Sequence, residues 1–454
     1  MAVTVPGLPF DFIQTDVAGG TVGFIFKSTA DAFYYNGTTV TKITDVDYPT
    51  TTVRGIAYLD GTYYVMNPNG EIFGSGINTP TSWTALNKIV AQMEPDAGVC
   101  LARLLNYIVA FGAYTTEFFF DAGNPAPGSP LSPYTSGMLN VGCAAAGSVA
   151  QTNNQLFFIG VTKQRGRSVY ALTGTAPQIL STPTIERILN GSDLSSVFSF
   201  CVKISGHNFY VLTLVDKDIT LAYDVDTGDW KEWTSLTPQT PQAITSLTYD
   251  TTTCLVTATT GTAHSTTDGD PVIIAGATQT QYNGAVNVQY RDANTFTYAP
   301  LNTPVVTPAT GSPTVVRYVS GAFIGRFYAG FGNIELVQDS AGNLYALDQN
   351  TYQDAGNPID VHIRTPQVDG GVNKKKFFQE LQVIGDSDDT LVFVRYSGDD
   401  YQSWSNYRSV DLNLRRASIH RLGQSRRRAF EIRHTDNTPL RLEALELTFE
   451  VGNN

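Results

Sequence analysis

Arginine side chains are concentrated in one short stretch near the C-terminal end of the chain. The stretch contains Arg415, Arg416, Arg421, Arg426, Arg427 and Arg428. A guanidinium group binds phosphate or carboxylate oxygens through paired hydrogen bonds, so the cluster predicts contact with DNA phosphates or with an acidic partner. The alternative is the polar face of a strand pair, balanced by Glu431, Glu443 and Glu446. Because residues 374–454 carry 13 Lys and Arg against 12 Asp and Glu, we favour a protein contact or the polar face over DNA.

The segment SGDDYQSW, from Ser397 to Trp404, resembles the Asp-box hairpin (S-x-D-x-G-x-T-W) of sialidase-type propellers. Ser397, Asp399 and Trp404 match this pattern, whereas Tyr401 replaces the glycine and Ser403 the threonine. We expect a structural turn in which the aspartate accepts backbone N–H groups, and the resemblance implies that it is remote from any catalytic site. A sialidase would also need three convergent arginines and a tyrosine with a carboxylate partner, which the sequence alone does not assemble.

Patterns typical of metal, nucleotide or hydrolase sites are missing from the sequence. None of the five histidines (His207, His264, His362, His420 and His434) has metal-ligand spacing to a carboxylate or cysteine. The segment DVDTGDW, from Asp224 to Trp230, starts like a calcium loop but lacks the glutamate at position twelve, so we predict a hairpin turn. Phosphate-binding and nucleophile motifs are also absent. We therefore expect no enzyme activity, no cofactor and no metal.

The composition predicts an all-β chain. Tyr and Phe number 23 and 24, Gly numbers 40, and the chain has 454 residues; aromatic residues favour strands and glycines favour turns. Three consecutive stretches each read as strand, hairpin and strand: Asn106 to Gly128, Asn153 to Leu189 and His207 to Trp233. Aromatic or aliphatic inner positions recur at Tyr34, Tyr64, Ile108, Phe157 and Phe209, with gaps of 30, 44, 49 and 52 residues. Propeller blades repeat at about 40–50 residues, so we predict a degenerate β-propeller of six or seven blades, with helical turns only near Thr184 to Leu189.

Shifts in composition predict four segments. Residues 1–261 form the first part of the propeller, and residues 262–316, rich in small and polar residues and in proline, form an inserted small β-sandwich or barrel. Residues 317–373 close the propeller, and residues 374–454 alternate with a period of two and form a C-terminal antiparallel sheet. No stretch is long and apolar enough to predict a membrane span. The start of the sequence has no basic and apolar leader, and four widely spaced cysteines predict free buried thiols in a reducing cytoplasm.

Three stretches taken together resemble the packaged-DNA-stabilisation proteins of short-tailed phages, also called tail accessory, tail hub or nozzle proteins. They are YIVAFGAYTTEFFF followed by a Gly- and Pro-rich loop, NQLFFIGVTKQRGRSVYALTGTAPQILSTPTIERIL, and HRLGQSRRRAFEIRH. The resemblance extends from about Val53 to Val451. It implies a virion structural protein, made in the host cytoplasm, that assembles into a homo-oligomeric ring, a hexamer, below the portal and adaptor proteins. Such a ring would extend the DNA channel, retain packaged DNA, permit its ejection and contact tail fibre or tip proteins.

The net charge of −12 is uneven. Everything before residue 374 carries 16 Lys and Arg against 29 Asp and Glu. Acidic groups repel DNA phosphates, so an acidic channel would let DNA slide. We expect acidic propeller loops to face the channel.

The insertion resembles a small β-module found in many phage tail proteins and departs from the core pattern of the resembled family. We expect it to be exposed and peripheral, to contact another tail protein or the host surface, and to be removable without unfolding the rest.

Two other hypotheses remain open. The aromatic content and the Asp-box-like segment also suit a glycan-binding or glycan-cleaving propeller that recognises a host surface, which paired carboxylates or an arginine triad in one cleft would support. A propeller scaffold with no viral role would stay monomeric at every concentration.

Overall fold

The computed structural model describes residues 11–17, 21–91, 94–331, 334–387 and 389–452. Contacts divide the chain into two compact units. The first comprises Met1–Trp233 and Gly325–Gly342, and the second comprises Thr234–Ile324 and Asn343–Asn454. Forty strands and one α-helix occur in the described part of the chain, so the prediction of an all-β protein is confirmed.

Five antiparallel sheets follow one another along the first unit, each built from strands that are consecutive in sequence. The first sheet contains β1 (Asp11–Val17), β2 (Thr21–Lys27), β3 (Ala32–Tyr35) and β4 (Val40–Lys42). The second contains β5 (Ala57–Leu59), β6 (Thr62–Met66), β7 (Glu71–Gly76) and β8 (Thr79–Val90). The third contains β9 (Gly98–Leu104), β10 (Tyr107–Gly112), β11 (Thr116–Asp121) and β12 (Leu131–Pro133).

The fourth sheet contains β13 (Gly142–Cys143), β14 (Ala150–Thr152), β15 (Gln155–Val161), β16 (Ser168–Thr173) and β17 (Ala176–Ile179). The fifth contains β18 (Phe198–Ile204), β19 (His207–Leu214), β20 (Ile219–Asp224) and β21 (Trp230–Pro238), of which the residues up to Trp233 belong to this unit. Short 3₁₀ helices lie at Thr135–Gly137, Ala146–Ser148, Leu194–Ser196, Val215–Lys217 and, in the second unit, Thr280–Tyr282.

The α-helix, α1 (Pro183–Asn190), lies between the fourth and fifth sheets in sequence, where helical turns were predicted. Thr182 precedes it as the N-cap, and its hydroxyl oxygen accepts the Ile185 N–H at 3.5 Å. No described helix has the length and apolar character needed to cross a membrane.

The core of the first unit lies between successive sheets, because side chains alternate between the two faces of each strand. On β10, Ile108 packs toward the second sheet, whereas Phe111 packs toward the fourth. On β15, Phe158 packs toward the third sheet and Phe157 toward the fifth. Full burial of each such side chain contributes about 1.5–3 kcal/mol, so every interior sheet is held from both faces.

The second unit contains a small β-barrel. It is formed by β22 (Gln242–Asp250), β23 (Leu255–Thr260), β24 (Pro271–Ala277), β25 (Gly284–Asn287), β26 (Gln289–Tyr290), β27 (Thr295–Tyr298) and β28 (Gly311–Ala322). The pairing order is β25-β24-β28-β22-β23-β27-β26. The two ends of this order, β25 and β26, are separated in sequence only by Val288. The sheet therefore closes into a barrel. Residues 234–238 of β21 also pair with β28.

The remainder of the second unit is a β-sandwich. One sheet has the order β34-β39-β36-β37 and the other has the order β38-β35-β40. These strands are β34 (Val361–Arg364), β35 (Lys376–Gly385), β36 (Leu391–Ser397), β37 (Arg408–Asp411), β38 (Ser418–Ser425), β39 (Ala429–His434) and β40 (Leu442–Val451). Apolar residues from both sheets, among them Leu381, Val394 and Ile432, form one core. The predicted C-terminal antiparallel sheet region is confirmed.

Five shorter strands lie between the barrel and the sandwich in sequence. The hairpin β29 (Phe327–Phe331) and β30 (Ile334–Gln338) belongs to the first unit. The strands β31 (Leu344–Ala346), β32 (Gln353–Asp354) and β33 (Asn357–Pro358) belong to the second. The four boundaries drawn from the sequence remain predictions.

The barrel core changes what we expect from deleting residues 262–316. Leu247 on β22 and Val256 on β23 pack against Tyr282, Phe296 and the other residues of that core. The deletion would remove β24 to β27 and residues 311–316 of β28, so that β22 and β23 would lose these partners. We therefore expect the deleted protein to be largely insoluble because it exposes apolar surface, as measured by the soluble fraction after expression. Soluble, monodisperse protein would contradict this.

Candidate functional site

Five of the six clustered arginines are exposed. Arg415 and Arg416 lie in the turn between β37 and β38, and Arg421 lies on β38. Arg426 and Arg427 follow β38, and the Arg427 guanidinium pairs with Asp400. The role of these five arginines in contact with a partner remains a prediction.

Arg428 does not belong to that surface. It is 3 % exposed, and its guanidinium carbon lies 4.5 Å from the ring centre of Phe378 and 4.3 Å from that of Tyr396. It donates a hydrogen bond to the Leu422 carbonyl oxygen. Burial lowers the pKa of Arg428. The predicted role of this side chain in partner contact is therefore corrected: it packs inside the sandwich, where two aromatic faces stabilise its charge.

The Asp-box-like segment forms a tight turn after β36. Asp399 accepts hydrogen bonds from the Ser403 hydroxyl, from the Ser403 backbone N–H at 2.9 Å and from the Ser397 hydroxyl at 2.8 Å. The Ser397 hydroxyl oxygen in turn accepts the Tyr401 N–H at 3.0 Å. The bonds from Ser403, followed by the bond from Ser397, lower the pKa of Asp399 to about 2.

Replacing Asp399 by alanine removes all three of these acceptor contacts. We expect the backbone amides of residues 399–405 to exchange with solvent faster in this variant, because the turn loses the bonds that order it. Asp399→Asn, which keeps one acceptor oxygen, should show a smaller change. The measurement is hydrogen exchange of this segment, and equal exchange in all three proteins would refute a structural role for the carboxylate.

Trp404 ends this turn and lies over two further arginines. The guanidinium carbons of Arg364 and Arg395 lie 5.4 Å and 5.0 Å from its ring centre. Both arginines point toward a buried carboxylate on β39, so the turn covers a charge cluster that the sequence did not reveal.

Glu431 is the centre of this cluster and is fully buried. Its Oε1 accepts the Tyr407 hydroxyl at 2.6 Å and lies 2.9 Å from Arg395 Nη2. Its Oε2 accepts the Arg364 Nε–H at 2.7 Å, and Arg433 Nε lies 3.4 Å from Oε1. These donors belong to three neighbouring strands and to Tyr407, which directly precedes β37. We call Glu431, Arg364, Arg395, Arg433 and Tyr407 the Glu431 cluster.

Two further residues, His362 and Asp360, contact the Glu431 cluster from outside. His362 Nε2 lies 3.4 Å from Glu431 Oε2, and Arg433 pairs with Asp360. Burial would raise the pKa of Glu431, but hydrogen bonds from His362 and Tyr407 and the charge of Arg395 outweigh it and hold the pKa well below its usual range. Glu431 is therefore ionised at neutral pH.

The Glu431 cluster also joins the barrel to the sandwich within the second unit. Asp268, in the turn before β24, pairs with Arg395. The next residue, Gly269, has φ +93°, and a Cβ there would lie 3.2 Å from Arg395 Nη2 and 3.3 Å from the Tyr407 hydroxyl oxygen. A glycine thus lets the turn approach the guanidinium closely.

The three arginines and the tyrosine that a glycan-cleaving site requires do converge here. They converge on the carboxylate of Glu431, which is itself fully buried. Their donors are already used in binding a carboxylate of the chain itself, so the geometry supports a structural junction. The sequence contained one signal of this cluster. Glu431 and Arg433 are two residues apart on one strand, as are His362 and Arg364 on another, so each pair shares one strand face.

Strand pairing also brings His207 close to two aspartates that lie far from it in sequence. His207 Nδ1 lies 3.0 Å from Asp224 Oδ2, and Asp226 accepts the Asn208 N–H at 2.7 Å. Asp224 Oδ1 accepts the N–H groups of Asp226 at 3.0 Å and Thr227 at 3.3 Å. These carboxylates hold the turn between β20 and β21, so the predicted hairpin turn at Asp224 to Trp230 is confirmed.

Similarity to solved structures is weak. The chain is 11 % identical to the computationally designed Ika8 protein, with a TM-score of 0.33 and coverage of 71 % of this chain and 80 % of that one. It is 11 % identical to a chain of the mitotic checkpoint complex, with a TM-score of 0.37 and coverage of 76 % of this chain and 89 % of that one. It is also 11 % identical to BamB from Moraxella catarrhalis, with a TM-score of 0.31 and coverage of 74 % of this chain and 98 % of that one. Because all three TM-scores are low, we infer neither the fold nor the function of this chain from these similarities.

The sequence itself matches a family. No curated protein matches the chain significantly, but the family model described as Bacteriophage P22 Gp10, beta-propeller, matches residues 19–256. This match confirms the predicted β-propeller and the resemblance to phage tail accessory proteins. Because the matched residues make up more than half of the sequence, the chain belongs to the Bacteriophage P22 Gp10 β-propeller family of structural phage tail proteins.

Proposed function

We propose that this chain forms the nozzle or hub ring of a phage tail, as a homo-oligomer below the portal and adaptor proteins. The ring extends the DNA channel, retains packaged DNA and permits its ejection. The family match over residues 19–256 is the observation that carries the proposal. Six copies is the stoichiometry that the sequence resemblance implies. The chain is made in the host cytoplasm and takes part in no chemical reaction.

The partners follow from this position. One end of the ring contacts the portal and adaptor proteins, and the other contacts tail fibre or tip proteins. Double-stranded DNA passes through without being bound, since residues 1–373 carry 29 Asp and Glu against 16 Lys and Arg. A channel lined by such residues repels phosphate groups and reduces friction on the DNA.

The direct test of this proposal is DNA retention. Heads assembled in an infection that lacks this protein should package DNA and then lose it, so that the DNA becomes sensitive to added nuclease. Wild-type protein supplied in trans should restore protection. Particles that keep their DNA and only fail to adsorb to cells would support the host-recognition hypothesis instead.

We also expect acidic propeller loops to face the channel and to influence the rate of DNA release. Exposed Asp and Glu residues in these loops are changed to Asn and Gln, one loop at a time. Variants that still assemble should release DNA more slowly, because phosphate groups then adhere to a less repulsive wall. Ejection kinetics from purified particles measure this effect. Unchanged kinetics for every loop would refute an electrostatic role for the channel wall.

The glycan hypothesis has no comparable support in the described residues. The arginine triad on which it depends is engaged by Glu431. Binding of the purified protein to host polysaccharide, with loss of binding on Arg364→Ala, would revive it.

A further inference from the structure

The last strand of the sandwich, β40, lies at the edge of its sheet. β40 is ten residues long and, among the described residues, pairs only with β35. It contains no proline and no lysine. Natural proteins protect such edges with proline and charged residues, with short strands or with bulges, because an open edge is a template for another strand; the charged residues of β40 are all glutamates. The one bulge in β40 lies at its beginning, near Leu442.

The backbone of β40 presents its unpaired groups in a regular row. Gly452 donates its N–H to the Lys375 carbonyl oxygen at 2.8 Å, so even-numbered residues of this strand face β35. In an antiparallel ladder the intervening residues point away from the partner. Leu445, Leu447 and Phe449 therefore direct their N–H and C=O groups toward the open edge.

Incomplete burial marks the same edge. Leu445, Leu447 and Phe449 face the sandwich core but are only half-buried. On the central strand of the sheet, Leu381 and Val383 are 0 % and 3 % exposed. The core is thus fully buried under the central strand and only partly buried along β40. One more strand beside β40 would bury these three side chains completely.

The outer face of β40 is acidic. Glu446 and Glu450 are exposed on that face, Glu443 is exposed at the bulge, and the strand has no basic residue. A second copy pairing antiparallel about Thr448 would place Glu446 opposite Glu450 of the other copy. Like charges directly opposite each other destabilise a strand pair, so the charge pattern opposes self-association in this register, and the acidic face suits a basic neighbour.

We propose that β40 is a docking edge for an extended segment of another virion protein in which basic residues alternate with apolar ones. The segment adds a fourth strand to the sheet β38-β35-β40. Its backbone bonds to Leu445, Leu447 and Phe449, its apolar side chains cover the core, and its basic side chains lie beside Glu446 and Glu450. This inference rests on the proposed assembly of the chain with other tail proteins.

The probe is a labelled ten-residue peptide in which lysine alternates with valine, added to the purified full-length chain. A matched peptide has glutamate in place of each lysine. We expect the lysine peptide to bind, its affinity to fall with salt, and hydrogen exchange of residues 442–451 to slow on binding. The glutamate peptide should neither bind nor change the exchange.

The paired variants separate this edge from general attraction to an acidic protein. Glu446→Lys/Glu450→Lys should weaken binding of the lysine peptide by about tenfold or more. Asp229→Lys/Glu232→Lys, which changes the net charge equally at two exposed residues of the first unit, should leave it unchanged. Equal affinities for the two variants, no binding, or no protection at residues 442–451 would overturn the proposal. Each of these results would leave the ring proposal intact, because the assay does not require assembly.

Discussion

Replacing Glu431 by glutamine is expected to lower the free energy of unfolding of the second unit by about 3–5 kcal/mol, the loss typical when one partner of a buried ion pair is removed. Arg395 and Arg433 are 3 % and 11 % exposed in their side chains. In the variant both would remain buried without the carboxylate that they share, and only Asp268 and Asp360 would still pair with them. The measurement is denaturant-dependent hydrogen exchange of β39, which follows this unit alone.

Glu443→Gln is the matched control for this experiment. Its side chain is 53 % exposed and pairs only loosely with Arg441, at 3.9 Å. The free energy of unfolding should change by no more than about 0.5 kcal/mol. If the two glutamine variants are equally stable, the Glu431 cluster does not hold the barrel and sandwich together.

The same carboxylate predicts how stability depends on pH. The pKa of Glu431 is held well below its usual range in the folded chain, whereas an unfolded glutamate titrates near about 4.3. Its contribution is therefore fully present above that pH and is lost as the pH falls toward the folded-state pKa. Burial raises the pKa of Asp360 and so opposes this trend. Glu431→Gln should unfold with a shallower acid dependence than the wild type.

Gly55→Ala has the other large expected effect. Gly55 has φ +90°, and a Cβ at this position would lie 1.8 Å from the Leu101 carbonyl oxygen. Its N–H also bonds to Asp11 Oδ2 at 2.7 Å, so the backbone cannot move away without breaking that bond. We expect a loss of more than about 3 kcal/mol from backbone strain together with overpacking.

Gly206→Ala separates the two causes. Gly206 has φ +89°, yet a Cβ there meets nothing within 4 Å. It should show only the conformational strain, about 1 kcal/mol. Thermal unfolding of both variants measures the difference, and equal losses would mean that the contact with Leu101 is relieved by a small shift.

The sequence predicts those features of the structure that depend on residues close together in the chain. The Asn-Gly and Asp-Gly pairs at Asn36-Gly37, Asp60-Gly61 and Asn69-Gly70, which are typical of hairpin turns, have positive φ at each glycine. Alternation along residues 440–451 correctly separates a polar face from an apolar one. Both signals depend only on neighbours in the sequence.

Prediction fails where distant segments meet. Nothing near Glu431 in sequence shows that Arg364, Arg395 and Asp268 surround it, because β34, β36 and the barrel turn come from separate stretches. Arg428 looked like its exposed neighbours, since only the fold places Phe378 and Tyr396 against it. The pairing of β22 with β28 likewise joins strands that are far apart in the sequence.

The native mass of the protein shows whether it forms the proposed ring. The purified protein is measured alone and then with the portal–adaptor complex of the same phage. We expect a closed ring, a hexamer, either in the free protein or on the complex. A chain that remains monomeric and does not bind the complex would contradict the nozzle assignment.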